Sequence, residues 1–234
     1  MTPEISVIIP ALNEEKYIKR VMDGLGSQSF RSFETIVVDG DSSDNTRKIA
    51  SRGGKVLIEK KRGPAAARNS GAKAAKGKIL LFIDADTVPS KNLLKTYHQQ
   101  FKDPRTVALT GPILPLEKAG FLIQEGYSFV SMIFVRSSIL LRRPCIVGAN
   151  FAVRKEAFDR VRGFNPEMIT YEDWDLSLRL KKLGKIHFIK DATVYTSVRR
   201  IKEWGVHGFF NYYIGNMARY TFLKKPKNDY KQIR

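Results

Sequence analysis

Cysteine is nearly absent: Cys145 stands alone in 234 residues. A single thiol can form neither an intramolecular disulfide nor a cysteine-based zinc cluster, and it suits a reducing compartment. Long apolar runs are missing too. The nearest, Gly126 to Val135, is bounded by Glu125 and Arg136 and falls short of the ~18 residues a membrane-spanning helix needs. The opening MTPEISVIIPALNEE has no basic stretch ahead of an apolar core, so no signal peptide is expected there. Internal repeats and low-complexity linkers are also lacking. The expectation is a cytoplasmic protein, soluble or peripheral on the cytoplasmic face of a membrane. It should form one large α/β domain (residues 1–198) with a C-terminal extension (199–234).

Acidic residues are the scarce charge, 23 against 41 basic ones, for a net charge of +18. Such a surface attracts nucleic acid, anionic lipid or phosphorylated small molecules. The excess is uneven. Residues 199–234 hold nine Lys/Arg against Glu203 and Asp229, together with eight of the 25 aromatic residues.

The first half alternates strand and helix. ISVII (Ile5 to Ile9), TIVV (Thr35 to Val38), KVLI (Lys55 to Ile58) and ILLFI (Ile79 to Ile83) read as strands. Between them run helices, one with Tyr17, Ile18, Val21, Met22 and Leu25 on its apolar face, another alanine-rich from Ala65 to Ala75. Asn13, Ser42 or Ser43, and Ser90 are the expected N-caps. Strands apolar throughout and alternating with helices predict a mostly parallel sheet covered on both faces. The second half predicts strands at 107–109, 146–153, 186–189 and 193–196. It also predicts helices from Arg154 to Arg162 and from Glu172 to Leu183, closed by left-handed Gly163 and Gly184.

Ligands of such sheets bind outside the carboxyl ends of the strands. This chain puts polar residues at three of those ends: Pro10-Ala11-Leu12-Asn13-Glu14, Asp39-Gly40-Asp41 and Asp84-Ala85-Asp86. Residues i and i+2 of an extended chain project the same way, so Asp84 and Asp86 can face one ligand. Two adjacent carboxylates repel unless a cation joins them, and hard oxygens suit Mg²⁺ or Mn²⁺. A second acidic cluster, YEDWD, opens a helix in a capping-box frame with Thr170. There the helix dipole would favour an ionised Asp173. By spacing alone, Trp174 and Leu178 read as core.

In order along the chain stand VIIPALNEEKYI, VVDGDSSDNT, GPAAARNSGAKAAKG, LLFIDADT, GANFAVRKEAF and YEDWDLSLRL. Together they resemble a family 2 glycosyltransferase of the GT-A fold over about residues 4–196. The resemblance implies a Rossmann-like sheet and an inverting, hexosyl-transferring enzyme that uses a nucleotide-diphosphate sugar and a divalent metal, Mg or Mn. It puts Pro10, Ala11, Asn13 and Glu14 around the nucleotide, Asp39 at the base with Asp41 nearby, and Arg68 at the nucleotide or diphosphate. Asp84 and Ala85 would meet the ribose or sugar, while Asn150 and Trp174 fall in the substrate pocket. Asp86 would be the principal metal ligand, with Asp84 beside it. Asp173 would be the catalytic base, supported by Glu172. Many such relatives carry a histidine near the place of Thr196 and Ser197, where it completes the metal site. Its absence here leaves Arg199 and Arg200 to pair with phosphate oxygens.

Val206, Phe210, Tyr213, Met217 and Tyr220 recur every three or four residues, which predicts an amphipathic helix over Glu203 to Leu223. With Arg219, Lys224, Lys225 and Lys227 it suits anionic lipid, and Phe121 to Leu141 offers a second such surface. The expected partners are therefore a nucleotide-sugar donor, a glycan or lipid-linked acceptor and an anionic membrane surface. Nucleic acid is not expected, because acids at three strand tips would repel its backbone. A sugar nucleotidyltransferase would carry a glycine- and Arg/Lys-rich loop where PALNEE stands. A polyprenyl-phosphate glycosyltransferase is the nearer alternative.

Overall fold

The β-branched run near the N-terminus becomes an interior strand of the sheet. The computed structural model describes residues 2–205 apart from 62 and 119, and beyond them only 207, 208, 211, 215 and 219. The first half gives β1 (Ile5–Ala11), α1 (Glu15–Gly26), β2 (Phe33–Asp39), α2 (Thr46–Ala50), β3 (Lys55–Ile58), α3 (Pro64–Ala74), β4 (Ile79–Phe82), β5 (Thr87–Pro89) and α4 (Leu93–Gln100). The second half gives β6 (Thr106–Thr110), β7 (Ile113–Pro115), α5 (Phe121–Ser128), a π-helical turn (Phe129–Phe134), α6 (Val135–Leu140), β8 (Phe151–Arg154), α7 (Lys155–Arg160), α8 (Glu172–Leu180), β9 (Lys185–Phe188) and β10 (Val194–Thr196).

Seven strands form the main sheet in the order β3-β2-β1-β4-β8-β6-β9, parallel except for β8, which runs against β4 and β6. The mixed α/β architecture with a mostly parallel central sheet is thus the one the sequence predicts. β1 pairs with β2 on one side and β4 on the other, so the carboxyl ends of all three lie side by side. A parallel sheet hides both faces, which is why Ile5, Val7, Ile8, Ile9, Leu80, Leu81 and Phe82 are all buried. One face packs on α1 and α4 through Ile18, Val21, Leu94 and Tyr97; the other receives α3, α7 and α8 through Ala72, Phe158, Leu176 and Leu180. α3 lies close because Gly71 faces β1: a Cβ there would fall 2.4 Å from Ile8 Cγ2. A second sheet, β5-β10-β7, closes one edge of the site.

Several local expectations change. Asn13 adopts a left-handed φ of 54° and does not cap α1. Its side chain instead accepts the Ser43 N–H at 2.9 Å, while Ser42 Oγ accepts the Asn13 N–H at 2.9 Å. The Glu14 and Glu15 N–H groups donate to Thr46 Oγ1 and Asp44 Oδ2, so side chains after β2 satisfy the start of α1. Neither Ser42 nor Ser43 caps α2, whose N-cap position is Asn45, and α4 begins after Asn92 rather than at a Ser90 cap. α8 starts behind Tyr171, which has φ 65°, so Tyr171 rather than Thr170 takes the N-cap position. Gly163 is left-handed as predicted, whereas Gly184 is not; it lies against the Arg105 carbonyl oxygen. The strand expected at 146–153 begins only at Phe151, because the preceding residues form a loop. Most of the predicted amphipathic helix, Glu203 to Leu223, lies outside the described residues.

Candidate active site

β1, β2 and β4 deliver their polar tips to one edge of the sheet. Asp39 is fully buried at the end of β2, where it accepts the Ser42 N–H at 2.8 Å and pairs with Arg47 at 3.4 Å. Asp41 is exposed, 3.9 Å from the same arginine. Ala11 and Ala85 are buried in the core cluster, so their side chains offer nothing to a ligand. Asn150, expected in the substrate pocket, has internal partners. It is fully buried, accepts the Tyr97 hydroxyl at 2.6 Å and donates to the carbonyls of Pro112 and Ala192. Its role is to join α4, β8 and the loops flanking β7 and β10.

The two carboxylates after β4 each find an arginine. Asp84 accepts Arg68 Nη2 at 2.8 Å, and the other terminal nitrogen of Arg68 meets Glu172 at 2.6 Å. The guanidinium is only 5% exposed and lies over the Phe164 ring. Arg68, expected at the nucleotide or diphosphate, makes internal contacts with Asp84 and Glu172 here. Arg68 is the counterion that ties the β4 tip to the start of α8. Gly148 makes this seat possible, since a Cβ there would lie 2.7 Å from Arg68 Nη2.

Arg199 plays the matching part on the other side. Its two terminal nitrogens grip Glu14 at 2.7 and 2.5 Å, one of them also reaches Asp86 at 3.0 Å, and its plane lies over the Tyr17 ring. Burial raises the pKa of both carboxyls; Arg199 and Arg200 oppose that rise. The second Asp86 oxygen lies 3.4 Å from the Thr87 hydroxyl and 3.5 Å from that of Thr196. Among the described residues, no group of three or more His, Cys, Asp or Glu is placed to hold a metal ion. The oxygens around Asp86 still fit a hard cation that takes its other ligands from phosphate and water, provided Arg199 yields that carboxylate. No sequence pattern singles out Thr87, and by spacing Tyr17 belongs to an apolar helix face.

At the head of α8, Asp173 Oδ2 accepts the Gly148 N–H at 2.8 Å and Oδ1 accepts the Trp174 N–H at 2.8 Å. Burial raises its pKa, against the pull of Arg68 and these two N–H groups, so its ionisation does not rest on the helix dipole alone. Burial and the Asp173 charge push Glu172 up to about 7, with Arg68 opposing. Burial alone would lower the Arg68 pKa, but Asp84 and Glu172 outweigh it and hold the guanidinium charged. Trp174 is half-buried, stacked near Tyr171 at 5.6 Å, and is not part of the buried core that Leu176 and Leu180 join. Burial and the Asp173 charge push the Cys145 thiol up.

Glu172 has a stability signature. Its pKa rises from 4.5 to about 7 on folding, so the stabilisation from its protonated form is full below 4.5 and lost as pH climbs to about 7. Glu172→Gln should flatten the stability–pH curve over that interval in denaturant melts. Parallel curves for the two proteins would contradict the assignment.

Comparison with known proteins follows the same lines. Residues 6–162 match the model described as Glycosyl transferase family 2. The glycosyltransferase AglE of Haloferax volcanii is 28% identical over 200 residues, which cover 82% of this chain and 62% of AglE. The chain thus spans about three fifths of that relative's length. Among solved structures, the mannosyltransferase PcManGT from Pyrobaculum calidifontis, in complex with GDP-Man and Mn²⁺, superposes with a TM-score of 0.73 at 20% identity. That match covers 97% of this chain and 66% of PcManGT. Residues 1–349 of Staphylococcus aureus TarS, in complex with UDP-GlcNAc, give 0.70 at 23% identity over 84% of this chain and 59% of the other. At such identities the two structures speak for the fold alone, and that fold is GT-A.

Proposed function

The chain belongs to glycosyl transferase family 2, and from that premise we propose an inverting hexosyltransferase that carries a sugar from a nucleotide-diphosphate donor to a hydroxyl of a glycan or lipid-linked acceptor. The observation that carries this reading is the Arg68 bridge. It couples the β4 tip, where a donor would lie, to the head of α8, where two N–H groups hold Asp173 in place. UDP-sugar is the favoured donor and GDP-mannose the next, in keeping with the UDP-GlcNAc and GDP-Man complexes of the two structural relatives.

Asp173 accepts the acceptor hydroxyl proton as that oxygen attacks the anomeric carbon, while the bond from that carbon to the diphosphate breaks. Attack opposite the leaving group inverts configuration, and the Asp173 proton then passes to solvent. Glu172 and Arg68 fix the position of the α8 head. Asp86, with the Thr87 and Thr196 hydroxyls near it, would hold a divalent cation, which when bound offsets charge on the departing diphosphate. Arg199 would pair with the same phosphates on releasing Glu14 and Asp86, with Arg200 beside it. A polyprenyl-phosphate acceptor would be an anion already and would need no base, so the restrained Asp173 favours a hydroxyl. Peripheral association with an anionic membrane surface belongs to the same reading.

Thermal melts with UDP- and GDP-sugars and Mn²⁺ or Mg²⁺ test the donor. Saturation at a hundredfold excess over Kd contributes ~2.7 kcal/mol, a melting rise of roughly 5–10 °C for a chain of this size. UDP-sugars are expected to give that rise. No shift from any nucleotide sugar would sink the proposal.

A further inference from the structure

We infer that the segment from α5 through the π-helical turn to α6 is an interfacial surface that lays its exposed apolar side chains onto an anionic lipid bilayer. Among the described residues nine large apolar side chains are exposed, and seven of them lie in Phe121–Leu141. Phe129, Met132, Ile133 and Phe134 project from the π-helical turn, with Leu140 and Leu141 beyond it; Leu140 is 82% exposed. π-helical insertions concentrate at functional sites. Solvent-exposed phenylalanines and leucines gathered at one place mark a contact surface.

Charge selects the occupant. No Asp or Glu occurs between Glu125 and Glu156, while Arg136, Arg142 and Arg143 are exposed beside the apolar residues. Exposed Glu125 on α5 is the one acid of the segment, set against three arginines, and apolar residues with such a cationic excess complement an anionic headgroup layer. A second copy of this chain would set three arginines against its own three. No helix among the described residues is long and apolar enough to cross a membrane, so contact is at the interface rather than through it.

The segment is also fastened to the base. Cys145 N–H donates to Ser138 Oγ on α6, Ile146 N–H to Ser177 Oγ on α8, and Gly148 N–H to Asp173. Lys181 reaches back to the Arg142 carbonyl. A bilayer under the π-helical turn would therefore hold the head of α8 near the headgroups, where the hydroxyl of a lipid-linked acceptor lies. This deepens the glycosyltransferase reading and rests on it only for the acceptor.

Flotation of the full chain with vesicles of phosphatidylglycerol and phosphatidylcholine, against pure phosphatidylcholine, tests it. Wild type should float with the anionic vesicles at low salt. Phe129→Ser/Ile133→Ser/Leu140→Ser should lower the bound fraction at least tenfold. Arg136→Gln/Arg142→Gln/Arg143→Gln should remove on the order of a hundredfold of the preference for anionic lipid, roughly fivefold per arginine. Wild type that stays unbound, or serine and glutamine variants that float as wild type does, would overturn the inference. So would a wild-type dimer that the serine variant dissolves without any flotation. Donor-induced stabilisation measured on the same proteins separates the two readings: its failure removes the transferase, not the lipid contact.

Discussion

Asp173→Asn is expected to lower kcat by about 10²–10⁴ while leaving donor binding within a factor of a few. The asparagine keeps the size of the side chain and can still accept one N–H, but its amide nitrogen must then face either Gly148 N–H or Trp174 N–H, both of which are donors. A modest cost in stability, ~1 kcal/mol, should accompany the loss of turnover. The informative comparison is between kcat and the donor-induced melting shift: a base acts on the acceptor, so only the first should collapse. Full turnover by the variant on a polyprenyl phosphate would instead identify an acceptor that needs no deprotonation.

Arg68→Met carries the largest expected effect on stability. Methionine fills much of the same volume but leaves Asp84 and Glu172 without the guanidinium that both contact. Breaking a buried pair by removing one partner costs about 3–5 kcal/mol, a fall in melting temperature of roughly 6–20 °C for a chain of this length. The Phe164 ring also loses its cation. Without Arg68 the burial that raises Glu172 goes unopposed and holds it neutral, so adding Glu172→Gln should change the variant little, and the double-mutant cycle measures that coupling. A melting point unchanged by Arg68→Met would show that the bridge is not what holds α8 to the β4 tip.

The sheet and its acidic tips could be read from sequence because hydrophobic periodicity and strand-end polarity are local properties. ILLFI announced a buried strand with Asp84 and Asp86 at its end, but a turn at Ala85 and Asp86 replaces the extended geometry their spacing implied, and the two carboxylates pair with different arginines. Pairing between distant charges is not local. Nothing near Arg68 in the sequence says that it will face Glu172, 104 residues on, instead of a ligand. The caps failed for a similar reason. Asn13 and Ser42 are good capping residues by type, but each satisfied the loop opposite, where a left-handed Asn13 brought the two turns together. Asn150 looked like a pocket residue by its motif, yet its amide serves two buried carbonyls that no sequence pattern reveals.

The grip of Arg199 on Glu14 joins residues 185 apart in the chain, and this has a consequence for biogenesis. On a ribosome adding about 5–20 residues each second, Asp86 precedes Arg199 by roughly 5–20 s. During that interval β1, β2 and β4 can pair and Arg47 and Arg68 can meet Asp39 and Asp84, but Glu14 and Asp86 lack the guanidinium of Arg199 and are best left in water. The sheet can therefore form early, while its ligand-binding edge settles only when residue 199 arrives. A nascent chain stalled short of residue 199 would leave Glu14 and Asp86 without the guanidinium they share.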